Sequence, residues 1–372
     1  MFSAEDHLYM SRALQLAAQG RFTTSPNPNV GCVIVKNGVI IGEGFHRKAG
    51  EPHAEVHALR AAGDNACGAT AYVTLEPCSH FGRTPPCADA LVAAGVTRVV
   101  AAMEDPNPQV SGRGMRRLAD AGVEVHVGLQ QAQAEALNSG FIKRMKTGLP
   151  YVRLKLAASL DGRTALANGE SQWITSPAAR ADVQRLRAQS SAILTGADTV
   201  LVDDPSLNVR WEQLTPSVQT IYPAEDVRQP IRIIVDSQCR IESSARLFSI
   251  PGEIWLARSK EQGQWAESVH QVLVPQAASG KLNLLQLMKT LAQRNINDLW
   301  VEAGASLAGA LINAGLVDEL IVYLAPKLMG NTARGLVNLP EFQHMTDVAD
   351  WQWQDVRKIG DDVRLTLQPK KE

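Results

Sequence analysis

A layered α/β protein of two domains is what three features of the sequence predict. Apolar segments of strand length alternate with segments of helical period, and Gly or Pro punctuates most junctions. A Gly148-Leu149-Pro150 break interrupts a helical stretch and is followed by a second series of the same kind. The length, 372 residues, exceeds what one hydrophobic core ordinarily serves.

Residues 6–20 place Leu8, Ala13, Leu14 and Ala17 near one helical face, and Gly20 ends the segment. Strands at 30–35 and 39–44 flank Asn37-Gly38, a dipeptide that accepts the positive φ angles of a tight hairpin turn. Helix 53–63, strand 70–75, helix 85–94, strand 96–102, helix 112–121 and strand 123–127 follow. A helical stretch over 131–146 then runs into Thr147-Gly148-Leu149-Pro150, which sets the expected boundary: residues 1–147 form one domain and 148–372 the other.

In the second domain strands are expected at 151–157, 191–195, 231–236, 253–257, 298–302, 317–325 and 362–368, with helices at 177–189, 283–294 and 305–314. Residues 204–230 are rich in Pro and polar residues with weak periodicity, and are expected to form long loops beside a site or a variable insertion.

Composition narrows the functional classes. A 45% hydrophobic, 20% charged chain is ordinary for a globular protein, and a net charge of −1 removes broad electrostatic attraction to nucleic acid or membrane. Five cysteines, an odd number without a secretory signal, argue for thiols or ligands over a disulfide framework. The N-terminus has no basic start with an apolar stretch, and no run of 18 apolar residues occurs, so a cytoplasmic protein that does not enter a membrane is expected.

The residues that carry chemistry lie in the first half. Pro52-His53-Ala54-Glu55 stands at a predicted helix start, Glu76-Pro77-Cys78 at a strand end and Pro86-Cys87 at the next helix start. One imidazole and two thiolates supply three zinc ligands and leave the fourth tetrahedral position to water. Zinc lowers the pKa of that water toward neutrality, and Glu55, itself not a ligand, can shuttle protons to a leaving amine. Alone, a histidine is usually a plain core or surface residue and a cysteine a small hydrophobe; together they point to hydrolytic deamination. His57 imitates a helical metalloprotease pair with His53, but that motif needs Glu where Ala54 stands.

The arrangement resembles the cytidine-deaminase-like superfamily, with H-x-E followed by P-C-x-x-C. It departs in one respect: eight residues, Ser79 to Pro86, separate Cys78 from Cys87. That expanded loop is similar to the pyrimidine deaminases of riboflavin biosynthesis. The resemblance assigns the Asn-Pro element at Asn27 to the base pocket, where an amide can bond a carbonyl and a ring nitrogen; loop building before the strand is the other reading. His80 and Arg83 are cationic candidates for a substrate phosphate, and Arg83 as a solvated loop charge stands equally.

Gly304 to Gly309 follows an apolar strand and opens a helix, so its N–H groups can hold a dinucleotide phosphate; close strand–helix packing is the alternative. The spacing is not Gly-x-Gly-x-x-Gly, so a Rossmann reading fails. Through Leu154 to Arg163, Trp173-Ile174-Thr175, Thr195 to Val200 and Val301 to Gly304, residues 150–370 resemble the bacterial pyrimidine reductases, which have a dihydrofolate-reductase-like fold.

The resemblance implies a bifunctional enzyme. Its deaminase half would release ammonia from 2,5-diamino-6-(5-phosphoribosylamino)pyrimidin-4(3H)-one. Its reductase half would use NADPH to reduce the ribosyl chain, yielding 5-amino-6-(5-phosphoribitylamino)uracil. By the same resemblance Ala157, Trp173, Thr199, Asp203, Ser237 and the run Gly304, Ala305, Ser306, Leu307, Ala308, Gly309 and Ala310 border NADPH. Ser171, Arg187, Leu207, Arg210 and Glu302 border the phosphorylated substrate, and Lys155 is the candidate that polarises or protonates the ribose. A homodimer is implied as well. The rivals are a zinc deaminase of nucleic-acid bases, opposed by the near-zero charge, and a non-catalytic zinc and nucleotide-binding regulator, opposed by a site with only three protein ligands.

Overall fold

The computed structural model describes residues 1–79, 85–108 and 110–370, and the chain divides into two compact units, Met1–Gly148 and Leu149–Glu372. The candidates His80 and Arg83 lie outside the described residues.

In the first unit, α1 (Ala4–Ala17) starts from a reciprocal cap in which the Ser3 hydroxyl accepts the Asp6 N–H and the Asp6 carboxylate accepts the Ser3 N–H. β1 (Gly31–Lys36) and β2 (Val39–Phe45) pair antiparallel around Asn37 and Gly38, whose φ angles are 51° and 76°, as the hairpin reading required. There follow α2 (Ala54–Ala62), β3 (Thr70–Val73), α3 (Cys87–Ala93), β4 (Arg98–Ala101), α4 (Arg113–Asp120), β5 (Glu124–Val127), α5 (Gln131–Leu137) and α6 (Ser139–Thr147).

The sheet runs β2-β1-β3-β4-β5. Because strand side chains alternate between faces, Ile34, Ala71, Val73 and Val99 pack against Ala58 of α2, Leu91 of α3 and Leu118 of α4, while Val33, Val35, Tyr72 and Val100 pack against Met10 and Ala13 of α1 and Ala134 of α5. Helices on both faces make three layers. The single helix expected over 131–146 is two, because Asn138 leaves helical geometry to accept the Asn29 N–H (2.7 Å) and donate to the Asn29 carbonyl (3.0 Å).

The second unit contains β6 (Tyr151–Ser159), β7 (Arg163–Ala165), α7 (Pro177–Gln189), β8 (Ala192–Gly196), α8 (Ala197–Asp203), α9 (Pro216–Ile221), β9 (Ile231–Val235), β10 (Ile254–Arg258), β11 (Val269–Leu273), α10 (Leu284–Gln293), β12 (Asp298–Glu302), α11 (Ala305–Asn313), β13 (Glu319–Ala325), β14 (Arg334–Gly335), β15 (Trp351–Ile359) and β16 (Asp362–Pro369). Its nine-stranded sheet has the order β11-β10-β9-β8-β12-β6-β13-β16-β15, parallel from β11 to β13, with the last two strands antiparallel. Leu154, Leu194 and Val301 face Leu287, Leu291 and Leu311 on one side, and Ile193, Trp300 and Tyr323 face Ala179 and Val183 on the other. This unit too has three layers.

Six of its elements depart from the sequence reading. β7, α8, α9, β11, β14 and β15 were not expected; β15 is an edge strand whose exposed positions are mostly polar, so its period is invisible to an apolar count. Residues 204–230 are not a loose insertion. They wrap Leu214, Val218 and Tyr222 inward, with the Trp211 Nε1–H donating to the Tyr222 carbonyl at 2.8 Å and the Gln229 amide bonding both backbone groups of Val209. Among the described residues no helix is long and apolar enough to cross a membrane.

Candidate active site

Three chain segments meet at the carboxyl end of β3. His53 caps the start of α2, Cys78 follows β3, and Cys87 opens α3. His53 Nδ1 lies 3.6 Å from Cys78 Sγ and 3.3 Å from Cys87 Sγ, and the three ligand atoms fall within 4.8 Å of one another. Tetrahedral zinc bonded to sulfur at about 2.3 Å and to nitrogen at about 2.0 Å separates those atoms by about 3.5 Å, so the residues fit the ion. The Cys87 N–H donates to Cys78 Sγ at 3.3 Å, stabilising negative charge on that sulfur. As a hydrogen-bonded pair the thiols split: the Cys87 donor and His53 bring Cys78 down to about 4, while Cys78 and burial push Cys87 up. Cys32 is a core residue of β1, and Cys67 and Cys239 do not join the cluster.

Glu55, in the first turn of α2, is 3% exposed, and its Oε2 has no hydrogen-bond partner among the described residues. Burial pushes its carboxyl up to about 7 against the opposing pull of His53. A buried carboxylate oxygen without a partner beside three zinc ligands is a group placed to exchange a proton with something bound there.

Asn27 stands at the same site through a residue the sequence reading missed. His46 is buried, its ring edge-on to His53 at 5.5 Å; its Nδ1 faces the Pro52 carbonyl at 3.2 Å and its Nε2 faces Asn27 Nδ2 at 3.1 Å. A carbonyl only accepts, so the proton is assigned to Nδ1, and Nε2 accepts from the Asn27 amide. Burial holds His46 below the ordinary imidazole range, consistent with that neutral form.

Glu76 was likewise missed. Its buried carboxylate accepts four backbone N–H groups, from Asp105 (3.0 Å), Gly112 (2.9 Å), Gly114 (2.7 Å) and Met115 (3.4 Å). This fastens Asp105 and the Gly112–Met115 stretch to the strand end that presents Cys78. Gly114 approaches so closely that a Cβ there would lie 1.9 Å from the Pro77 carbonyl oxygen.

In the second unit the expected cofactor residues gather where β8, β9 and β12 end, the side of a parallel sheet where ligands bind. α11 begins at Gly304 with no side-chain cap, so the first N–H groups of the helix stay available for a phosphate. A Cβ on Gly304 would lie 3.7 Å from Thr199 Oγ1, which sets α8 beside that helix start; Asp203 is one turn further along α8 and exposed. Ser237 follows β9, and Ala157 lies on β6. The residues fit a dinucleotide. Ala308 is in the core, and at Gly309 a Cβ would lie 1.8 Å from the Asn338 carbonyl oxygen, so both also serve helix packing; Gly304 and Ser306 are exposed, Leu307 is half-buried and Ala310 exposed a turn away.

Glu302 ends β12 in register with Lys155 on β6. Arg187 grips it with Nε at 2.6 Å and Nη2 at 2.9 Å, and Trp300 Nε1 donates at 2.8 Å. Burial pulls the Glu302 pKa upward, but Arg187 and Lys155 outweigh it and hold the carboxyl at about 2. Burial lowers Lys155 against the pull of Glu302. Arg187 also donates to the Asn208 carbonyl at 3.0 Å and is 9% exposed, so it reaches a ligand only with N–H groups not committed to those bonds. Arg210 is exposed and lies within electrostatic reach of Arg187. Leu207 is buried at a positive φ of 49°, leaving only its backbone to meet a substrate. Ser171 and Trp173 lie on the segment after β7, where the Trp173 ring is 62% exposed beneath the Arg180 guanidinium at 4.5 Å.

Fold and sites together define a zinc-dependent deaminase of the cytidine-deaminase type joined to a reductase. Residues 3–103 match the cytidine and deoxycytidylate deaminase zinc-binding region, and residues 150–365 the RibD C-terminal domain. The chain is 61% identical to the riboflavin biosynthesis protein RibD of Escherichia coli over 98% of its own length and 99% of that protein's. It superposes on Acinetobacter baumannii RibD with a TM-score of 0.90 at 47% identity, covering 99% of both chains. On a Thermotoga maritima diaminohydroxyphosphoribosylaminopyrimidine deaminase/5-amino-6-(5-phosphoribosylamino)uracil reductase the TM-score is 0.86 at 30% identity, covering 98% and 99%. The chain belongs to the RibD family, the bifunctional deaminase–reductases of riboflavin biosynthesis. Zinc and NADPH are the cofactors that accompany this membership.

Proposed function

We propose that the first unit deaminates a diaminohydroxyphosphoribosylaminopyrimidine and that the second reduces the resulting 5-amino-6-(5-phosphoribosylamino)uracil, the pair of activities for which the Thermotoga relative is named. The observation that carries the first step is the buried Glu55 carboxylate, whose Oε2 has no hydrogen-bond partner among the described residues, beside the His53–Cys78–Cys87 cluster. His53, Cys78 and Cys87 hold the zinc, which when bound supplies a water acidified toward neutral pH. Glu55 would accept the proton of the attacking water at its buried carboxylate and deliver it to the 2-amino nitrogen. The ring carbon gains oxygen, its C–N bond breaks, and ammonia leaves. Asn27, fixed by His46, presents its amide oxygen to the ring edge.

In the second unit NADPH, when bound, would supply the hydride that C1′ of the ribose receives. Lys155, in register with Glu302 on the neighbouring strand, donates the proton that the opened ring oxygen requires. Arg210, backed by Arg187, meets the phosphate, with Ser171 and the Leu207 backbone beside it. The start of α11, with Thr199, Asp203, Ser237, Ala157 and Trp173, borders the cofactor. A homodimer belongs to this reading, supported by exposed Trp353 and Val356 on the edge strand β15; light scattering that returns a monomer contradicts it. A cytoplasmic location is part of the same reading and rests on family membership.

The test is a two-stage assay. Zinc-loaded protein given the diaminopyrimidine releases ammonia, and added NADPH is then oxidised. Chelation of zinc abolishes ammonia release and spares NADPH oxidation on substrate already deaminated. Ammonia release that survives complete zinc removal contradicts the proposal.

A further inference from the structure

Two thiolate ligands with only two residues between them are held at ligand spacing by one tight turn of backbone. Here eight residues, Ser79 to Pro86, intervene between Cys78 and Cys87. Loop length alone makes it about fivefold rarer for the two ends of such a segment to meet. Other contacts therefore have to set the spacing. Two are local: the Ala88 N–H donates to the Cys78 carbonyl at 3.1 Å, and the Cys87 N–H donates to the Cys78 sulfur at 3.3 Å.

The third comes from Arg117 on α4. Its Nη1 donates to the carbonyl of Ser79, the residue after Cys78, at 3.4 Å. Its Nε and Nη2 engage the two carboxylate oxygens of Asp89, Nη2 at 2.7 Å. Asp89 is in the first turn of α3, two residues after Cys87. One planar guanidinium thus bridges the chain just beyond each thiolate, and its donors lie in a fixed fork. The helix that carries it is itself anchored. Three residues before Arg117, the Gly114 N–H is held by the Glu76 carboxylate at 2.7 Å, and Gly114 lies against the carbonyl of Pro77, the residue before Cys78.

We propose that Arg117 is a positioning residue for the metal: it clamps the segments carrying Cys78 and Cys87, so that both thiolates stand at ligand spacing before the ion binds. This rests on the reading that His53, Cys78 and Cys87 hold the zinc. The Arg117 and Asp89 side chains are 43% and 31% exposed, and a simple pair so exposed contributes little. The two-pronged grip on Asp89 and the added bond to Ser79 set this one apart. Lysine in place of Arg117 keeps the charge and loses the fork, which separates clamping from electrostatic support of the thiolates.

Competition of the full chain with a chromogenic chelator for zinc, and the absorption spectrum of the cobalt-substituted protein, test this without turnover. Arg117→Ala is expected to weaken zinc binding about tenfold, the loss that follows removal of a group supporting a metal ligand. It should also alter the cobalt ligand-field bands and shrink the melting-point gain that zinc confers on the first unit. Arg117→Lys should resemble Arg117→Ala, and the nearly isosteric Asp89→Asn, which leaves the Ser79 bond, should weaken zinc binding by a smaller factor. Unchanged zinc affinity and cobalt spectrum in Arg117→Ala or in Asp89→Asn overturn the proposal, as does wild-type affinity in Arg117→Lys. A melting point that falls equally with and without zinc reveals a structural contact alone and overturns it too. Wild-type protein that takes up no zinc overturns the reading of the ligands instead.

Discussion

Replacing Glu76 by Gln isolates the strap that holds Cys78. The carboxylate accepts four N–H groups, two on each oxygen. Gln keeps one oxygen and turns an NH2 toward two donors that can no longer be satisfied. Each hydrogen bond to a charged acceptor contributes about 1.5–3 kcal/mol, so losing two costs about 3–6 kcal/mol. For a domain of this size about 1 kcal/mol moves the melting point about 2–4 °C, so the first unit should melt at least about 6 °C lower. Calorimetry on the full chain measures it, with the transition of the second unit as internal reference. Zinc transfer to a chromogenic chelator should accelerate in parallel, because the strap sets the strand end that carries Cys78. A shift under about 2 °C refutes the energetic reasoning; a large shift with unchanged zinc transfer refutes the claim that the strap positions the ligand.

Gly114→Ala forces a Cβ to within 1.9 Å of the Pro77 carbonyl oxygen and should destabilise the first unit by at least about 1–3 kcal/mol, with loss of bound zinc; a variant retaining one zinc per chain and the wild-type melting point contradicts that packing. Glu302 has a folded value of about 2 against an ordinary 4.5, so its contribution, about 3 kcal/mol, is present above about pH 4.5 and is lost as pH falls toward about 2. Glu302→Gln should flatten the acid limb of second-unit unfolding across that window, and an unchanged slope counts against the Arg187–Glu302 pair as its cause.

The zinc site was legible because each of its signals is local. His53 and Glu55 are two residues apart, both cysteines follow proline, and the chemistry of zinc restricts the ligand types. Glu76 was not legible, since its partners are backbone N–H groups 29 to 39 positions away and a backbone donor has no residue-type signature. His46 hid for a similar reason: a single histidine after a strand carries no spacing, and only folding brings it against Asn27 and His53. Strands buried on both faces read as apolar runs and were placed well, whereas the edge strand β15 and the split at Asn138 depend on what lies beside them. For the run 304–310 both uses of small residues, phosphate binding and close packing, stood open in the sequence, and only the approach of Asn338 to Gly309 shows the packing.

The central claim is that Glu55 moves the proton in a zinc-dependent deamination. Glu55→Gln removes the carboxylate while keeping its shape, so the account predicts one zinc per chain, a fall in ammonia release of about a hundredfold to ten-thousandfold, and undiminished NADPH oxidation on substrate deaminated beforehand. Ammonia release within a few fold of wild type from a fully zinc-loaded Glu55→Gln protein would contradict it.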